Sequence, residues 1–267
     1  MIYSRTLRAS TVDLLRHPRT HETLRLAGDW LIAEECGERY PIRQGIPSLV
    51  QTKSTPIRHR FWAWVYNRIA FAYDWGVSIA WKWKLGGQPI ERLSYLEKID
   101  IQPGSLVLET AVGTGANLRA LPNHARYIGL DISFNILRQC QKNLQRWDRA
   151  AELIHGDAQF LPFGEGLFDV VYHMGGLQFL TDPQQAFAEA LRVVKPGGRI
   201  WMIDETYSIP ALGRRIPDRV RMPRQSFTHP GRAVDNLPGL VPPPAEDVRA
   251  ELISNGELYI LSFRKKK

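Results

Sequence analysis

The sequence predicts an α/β protein, a doubly wound and mostly parallel sheet, preceded by a small β-rich module. Three observations carry this. Leu106, Val107 and Leu108 form a short apolar run after the turn pair Pro103-Gly104, as a buried parallel strand does, and Gly113 and Gly115 then turn the chain toward a helix starting near Asn117. A second such strand, Tyr127 to Asp131, ends in a carboxylate 18 residues after Gly113. Strand-like and helix-like patterns then keep alternating as far as Ile203.

The first strand and its turn form a nucleotide-binding corner. Glycine lets a ligand approach the backbone, and the first N–H groups of a helix are free to donate. Leu118 stands where the third glycine of a dinucleotide fingerprint would fall, and no Gly-Lys-Ser/Thr follows, so neither that fingerprint nor a P-loop is present. The informative residue is Asp131, placed where a carboxylate can accept hydrogen bonds from both hydroxyls of a ribose.

The later elements follow the same logic. Ser133 caps a helix running to Trp147, with Ile136, Leu137, Cys140 and Leu144 on one side, which makes Cys140 a buried thiol. Glu152 to Asp157 gives the third strand and its turn, and Phe168 to Met174 the fourth. The carboxyl end of the fourth strand, His173-Met174-Gly175-Gly176, faces the crevice where open α/β sheets bind ligands. A helix from Pro183 to Val194 is capped by Thr181 or Asp182. Lys195 to Gly198 turns into a fifth strand, Arg199 to Ile203, with Asp204 and Glu205 at its ligand end as secondary candidates for acceptor contact. Val248 to Ser254 and Leu258 to Phe263 form a hairpin across Asn255-Gly256.

Four of these stretches, in order, resemble class I S-adenosylmethionine-dependent methyltransferases, in particular the ubiquinone/menaquinone-biosynthesis group and its small-molecule relatives. They are Glu109-x-Ala-x-Gly113-x-Gly115; Gly129-Leu-Asp131-Ile-Ser133; Gly156-Asp157-Ala158-x-x-Leu161-Pro162-Phe163 with Phe168-Asp169-Val-Val171; and Leu191 to Gly198 with its Lys195-Pro196-Gly197-Gly198 turn. Ala111 departs from the glycine usual there. The resemblance spans roughly 101–203 and implies a seven-stranded Rossmann-like sheet with S-adenosylmethionine as cofactor. It implies that Glu109, Ala111, Gly113 and Gly115 hold the methionine part, Asp131 the ribose, and Asp157 with Ala158 the adenine, with Ile132 packing on the adenine face. It also places Tyr73, in Tyr73-Asp74, at the closing edge of the site.

Outside that core, residues 1–52 resemble a zinc-ribbon-like module known from methyltransferase activator proteins and as an N-terminal fusion. Its two Cys-x-x-Cys knuckles read here as His17-x-x-Thr20 and Ala33-x-x-Cys36. Thr and Ala cannot ligate zinc, and a substitute set of His17, His21 and Cys36 leaves ligands missing, so the module is expected to be metal-free. Residues 53–100 are rich in aromatics. Trp62, Tyr66, Ile69 and Tyr73 fall at helical spacing, as a helix packed on the main domain or a lid over the site would show. Within the domain at 101–267, the segment 207–246 is proline-rich and carries Arg214, Arg215, Arg219, Arg221, Arg224 and Arg232, a basic irregular insertion.

With 267 residues and 44% hydrophobic content, the chain can form one α/β domain plus an appendage. It contains no apolar run of membrane-spanning length and no signal-peptide pattern at its start, and its two cysteines, Cys36 and Cys140, fit a reducing cytoplasm. The net charge of +8 and the terminal Arg264-Lys-Lys-Lys267 would allow weak contact with an anionic surface.

The expected function is methyl transfer to the C, O or N of a small, hydrophobic or aromatic acceptor. His173 is the candidate general base, and Tyr73, Met174 and Gly175 line the acceptor pocket. Methylation of RNA is the alternative that the charge suggests, although no Asn-Pro-Pro-Tyr-type motif follows the fourth strand. A non-methylating binder or cyclase on the same fold is the third reading. Acceptor identity and oligomeric state are not encoded legibly.

Overall fold

The computed structural model describes residues 7–50, 96–177, 180–205, 237–253, 256 and 258–267. The aromatic segment with Tyr73 and the arginine cluster of the 207–246 insertion lie outside these.

After a short helix α1 (Ala9–Val12), strands β1 (Leu24–Ala27), β2 (Trp30–Ala33), β3 (Arg39–Arg43) and β4 (Ile46–Pro47) make an antiparallel four-stranded sheet, the β-rich module expected from the sequence. Hydrogen bonds crosslink its two knuckle positions. His17 Nδ1 accepts from the backbone N–H of Arg19 and Thr20, so the proton sits on Nε2, which lies 2.9 Å from Glu38 Oε2. Glu22 accepts from the Thr20 hydroxyl and from the backbone N–H of Glu35 and Cys36. Among the described residues His17, Cys36 and Glu38 bring ligand atoms within 4.8 Å of one another. That set does not fit a structural zinc. It offers three ligands where four are needed, and the imidazole nitrogen facing the other two already carries its proton. His21, the third member of the substitute set, lies instead near Arg192 and Glu189, and burial and Arg192 lower its pKa.

The main sheet has seven strands: β5 (Leu106–Thr110), β6 (Arg126–Asp131), β7 (Glu152–His155), β8 (Phe168–Met174), β9 (Val194–Glu205), β10 (Ala245–Ile253) and β11 (Leu258–Lys265). Their order is β10-β11-β9-β8-β5-β6-β7; the pairs among β5 to β9 are parallel and those made by β11 antiparallel. The central strands are apolar on both sides because both faces are covered. Leu108, Ile128 and Val171 pack on one face with Phe187 and Phe263, while Val107, Tyr127 and Tyr172 pack on the other with Leu137, Cys140 and Leu144. Residues 195–198, read from the sequence as a turn, lie within β9. The ladder steps from the Phe168–Val194 pair to Val170–Arg199, so the extra residues form a bulge. β10 begins at Ala245, inside the stretch read as irregular, and Gly256 takes φ +85° in the turn to β11.

Helices α2 (Ala116–Ala120), α3 (Phe134–Arg146) and α4 (Pro183–Val193) cover the sheet. Ser133 and Asp182 cap α3 and α4, accepting from Ile136 N and Gln185 N, and Pro183 opens α4. Strand order reverses at β5: β6 and β7 build outward on one side, β8 and β9 on the other. That topological switch point puts the ligand crevice at the carboxyl ends of β5, β6 and β8.

The module does not stand apart. Leu15, Leu31 and Tyr40 belong to the same core cluster as Ile154, Phe163 and Phe168. Burying a leucine fully, as at Leu15 and Leu31, contributes about 2 kcal/mol each.

Candidate active site

The turn after β5 carries three left-handed residues, Ala111 at φ +59°, Gly113 at +56° and Gly115 at +81°. Gly115 has two reasons to be glycine, its φ and a Cβ that would lie 2.8 Å from Cys140 Sγ on α3. A Cβ on Gly113 would meet nothing nearer than Ala111 O at 4.0 Å, so the space over this turn is open to a ligand. Gly129 is bare because Val112 lies on it, 2.8 Å from where a Cβ would be. Ala111 adopts a conformation that disfavours any Cβ. Ala111→Gly is therefore expected to stabilise the fold by about 1 kcal/mol, read as a raised midpoint in denaturant.

Asp131 ends β6 beside this turn. Its Oδ2 accepts from Gly113 N and its Oδ1 from Ser133 N, each at 2.9 Å. Burial raises its pKa to about 6, against the opposing hydrogen bonds from Ser133, Gly113 and Ile132. With three backbone donors on four lone-pair positions, the carboxylate keeps acceptor capacity for a ligand hydroxyl.

Glu109 is buried under the turn, accepting from Asn117 Nδ2 at 2.7 Å and from the Tyr172 hydroxyl at 2.6 Å. The Tyr172 phenol is pushed well up by burial and then by the Glu109 charge. Since Asn117 must present its amide nitrogen to that carboxylate, Oδ1 points elsewhere, buried and without a hydrogen-bond partner. Asn117 is a site residue that the sequence did not single out; its position at the start of the helix after the second glycine was the available signal.

After β7, Asp157 Oδ1 accepts from Gln159 N at 2.9 Å; Ala158, the next residue, is half-buried, as is Ile132 after Asp131. Gln159 Oε1 accepts from Thr181 Oγ1 and Asp182 N, tying this loop to the start of α4. Glu189 accepts from Leu161 N, and Arg192 donates to the carbonyls of Leu161 and Phe163. Sequence patterning missed these residues because their partners lie in distant parts of the chain, Thr181 and Asp182 for Gln159 and the backbone of the 161–163 stretch for Glu189 and Arg192.

His173, next to last in β8, is buried, with Nδ1 2.9 Å from Thr110 Oγ1 and Nε2 without a hydrogen-bond partner. Burial lowers its pKa to about 4, partly opposed by the Gly175 backbone. Met174 and Gly175 are half-buried, and Gly175 takes φ +76° with open space over its Cα. Asp204 is buried and accepts from Leu177 N at 2.7 Å. It braces the end of β8 where an acceptor contact had been expected.

These pKa values fix a pH profile. His173 and His155 hold folded pKa values of about 4, below the 6.5 of an unfolded imidazole, so between those limits the unfolded state binds more protons. Asp131, raised from 3.8 to about 6, acts in the opposite sense over about the same window. Two histidines against one carboxylate predict net stability that rises with pH from about 4 to 6.5. Thermal midpoints should follow that slope, and His173→Asn should flatten it.

The methyltransferase-domain family matches residues 108–202, which hold the β5 turn, Asp131, the Asp157 loop and His173. Over that stretch the chain is similar to methyltransferase domains. The demethylmenaquinone methyltransferase of Thermobifida fusca is 36% identical over 138 residues, 51% of this chain and 57% of that protein. The ubiquinone/menaquinone biosynthesis C-methyltransferase of a Ruegeria species is 32% identical over 145 residues, 52% and 57% of the two chains. The chain thus spans little more than half the length of these curated relatives. A phosphoethanolamine N-methyltransferase of Haemonchus contortus, solved with phosphomonomethylethanolamine and S-adenosylhomocysteine, shares the fold at TM-score 0.60 and 15% identity, over 80% of this chain and 61% of that one. The crevice at the strand ends holds an open glycine turn, a buried carboxylate and an amide oxygen without a hydrogen-bond partner. That donor and acceptor set fits an adenosyl group bearing an amino acid.

Proposed function

We propose that the chain transfers a methyl group from S-adenosylmethionine to the C, O or N of a small, hydrophobic or aromatic acceptor, as the names of its curated relatives suggest. The observation that carries the reading is Asp131, held by backbone N–H groups at the lip of the glycine turn with acceptor capacity to spare. In this assignment Asp131 binds the ribose, Asp157 and Ala158 the adenine edge, and Ile132 the adenine face. Gly113 and Gly115 give room for the methionine part. Glu109 serves that part indirectly, by fixing Asn117, whose free Oδ1 accepts from the amino group. The sulfonium supplies an activated methyl group, so the protein's task is to position, desolvate and, for an O or N acceptor, remove a proton.

His173 is the residue assigned to that last step on its place at the carboxyl end of β8 and its Nε2 without a hydrogen-bond partner; burial keeps it neutral at neutral pH and makes it a weaker base than a free imidazole. With the Thr110 hydroxyl donating to the Tyr172 carbonyl at 3.4 Å, Nδ1–H donates to Thr110 and Nε2 retains its lone pair. Met174 and Gly175 border the acceptor. Tyr73 and the 53–100 segment are assigned as its cover, and 101–267 as the catalytic domain, on the family resemblance. Among the described residues no helix is long and apolar enough to cross a membrane. Cys36 and Cys140 are not bridged to one another, which suits a cytoplasmic setting.

The test is transfer of a labelled methyl group from S-adenosylmethionine to panels of quinol, phenol and amine acceptors, with RNA as a separate arm. Label is expected in a small apolar product. His173→Asn should lower kcat about 100-fold on an O or N acceptor while leaving cofactor affinity unchanged. Label entering only RNA, or no acceptor at all, would contradict the reading.

A further inference from the structure

Resting on the cofactor assignment above, we infer that His155 is a positioning residue through which the N-terminal module sets the adenine end of the site. Its imidazole bridges three elements. Nε2 lies 3.0 Å from the carbonyl of Ile132, and Nδ1 2.7 Å from Ser48 Oγ. A carbonyl only accepts, so Nε2 carries the proton and Nδ1 receives the Ser48 hydroxyl. The Ile132 carbonyl therefore selects the tautomer, and the Ser48 hydroxyl completes it by donating to Nδ1. The ring is further fixed edge-on against Phe134, with centroids 5.5 Å apart.

The positions tied together matter. Ile132 follows the ribose carboxylate Asp131, and His155 precedes Gly156 and Asp157, so this side chain adds to the backbone ladder and to the Gly156 N–Asp131 O bond that hold the ends of β6 and β7 together. Module backbone reinforces it on both sides of the adenine loop. Ser48 pairs in parallel with His155 and Leu49 N donates to His155 O at 2.8 Å, extending the sheet past β7. At the loop's far end, Arg16 N donates to Pro162 O and Gly164 N to Leu14 O, around an antiparallel Leu15–Phe163 bridge. The loop from 155 to 164 is thus bracketed by the module at each end. Burial lowers the His155 pKa to about 4, which keeps the ring neutral and this tautomer intact at neutral pH.

The experiment is calorimetric titration of S-adenosylhomocysteine and of 5′-methylthioadenosine into the full chain, with thermal midpoints measured alongside. His155→Asn keeps an acceptor for Ser48 and drops the bond to Ile132; affinity for both ligands should fall about tenfold and in equal ratio, because the lost contact serves the adenosine part. His155→Gln, whose longer amide reaches the Ile132 carbonyl, should stay within about twofold of wild type. Ser48→Ala, which changes only the module side, should weaken both ligands about threefold and serves where the histidine variants fold poorly. Equal affinity in wild type, His155→Asn and Ser48→Ala would overturn this proposal and leave the cofactor assignment standing. Failure of the folded wild type to bind either ligand would overturn both.

Discussion

Asp131→Ala is expected to weaken S-adenosylhomocysteine binding about 100-fold, the loss of roughly 3 kcal/mol from two hydrogen bonds to a charged acceptor. The carboxylate sits where β6 ends, and its two oxygens are already oriented by Gly113 N and Ser133 N. A ligand that meets it incurs little ordering cost. The pH dependence gives a second, independent signature. Hydroxyl donors need the ionised form, and with its pKa near 6 the carboxylate is ionised above that value. Affinity should therefore rise through pH 6 in the wild type and be flat in Asp131→Asn. The same group's contribution to stability has the opposite sign, because its folded pKa lies above the unfolded 3.8 and the folded state holds the extra proton from about 4 to 6. Binding and unfolding measured on one sample should thus give opposite slopes for the part that Asp131→Asn removes.

Gly115→Ala is the substitution with the largest expected cost to the fold, about 3 kcal/mol. Left-handed φ for alanine accounts for 1–2 kcal/mol of this at roughly the usual cost, and the rest comes from a Cβ forced against the buried Cys140 sulfur. Combining it with Cys140→Ala separates the two. The double variant should recover the steric part and leave the conformational part, so a cycle of unfolding free energies should show a favourable coupling of about 1 kcal/mol. If Gly115→Ala unfolds at the same denaturant concentration as wild type, the turn is not built as described.

The sheet was legible in the sequence wherever a strand is covered on both faces. Leu106 to Leu108, Tyr127 to Asp131 and Phe168 to Met174 read as strands because runs of apolar residues between turn signals have few other uses. The carboxylate at the end of β6 was legible for the same reason, since strand ends near a switch point are where ligands bind. Asp204 misled because the same position serves equally well to accept Leu177 N, and nothing local in the sequence separates a brace from a contact. The turn expected at residues 195–198 became a bulge because β8 holds the flanking residues in one ladder. Glu109 lies within β5, and its hydrogen bonds to Asn117 and Tyr172 depend on packing across the sheet, which spacing does not encode. The brackets from Leu14 to Arg16 and from Ser48 to Leu49 were invisible for a related reason, being backbone pairings made more than 100 residues apart in the chain.

The measurement that tests the central claim most directly is calorimetric titration of S-adenosylmethionine and S-adenosylhomocysteine into the wild-type chain at neutral pH, with folding verified by its thermal transition. Saturable one-to-one binding of both ligands is the predicted result. A folded chain that binds neither would contradict the assignment of the Gly113–Asp131–Asp157 crevice as a cofactor site.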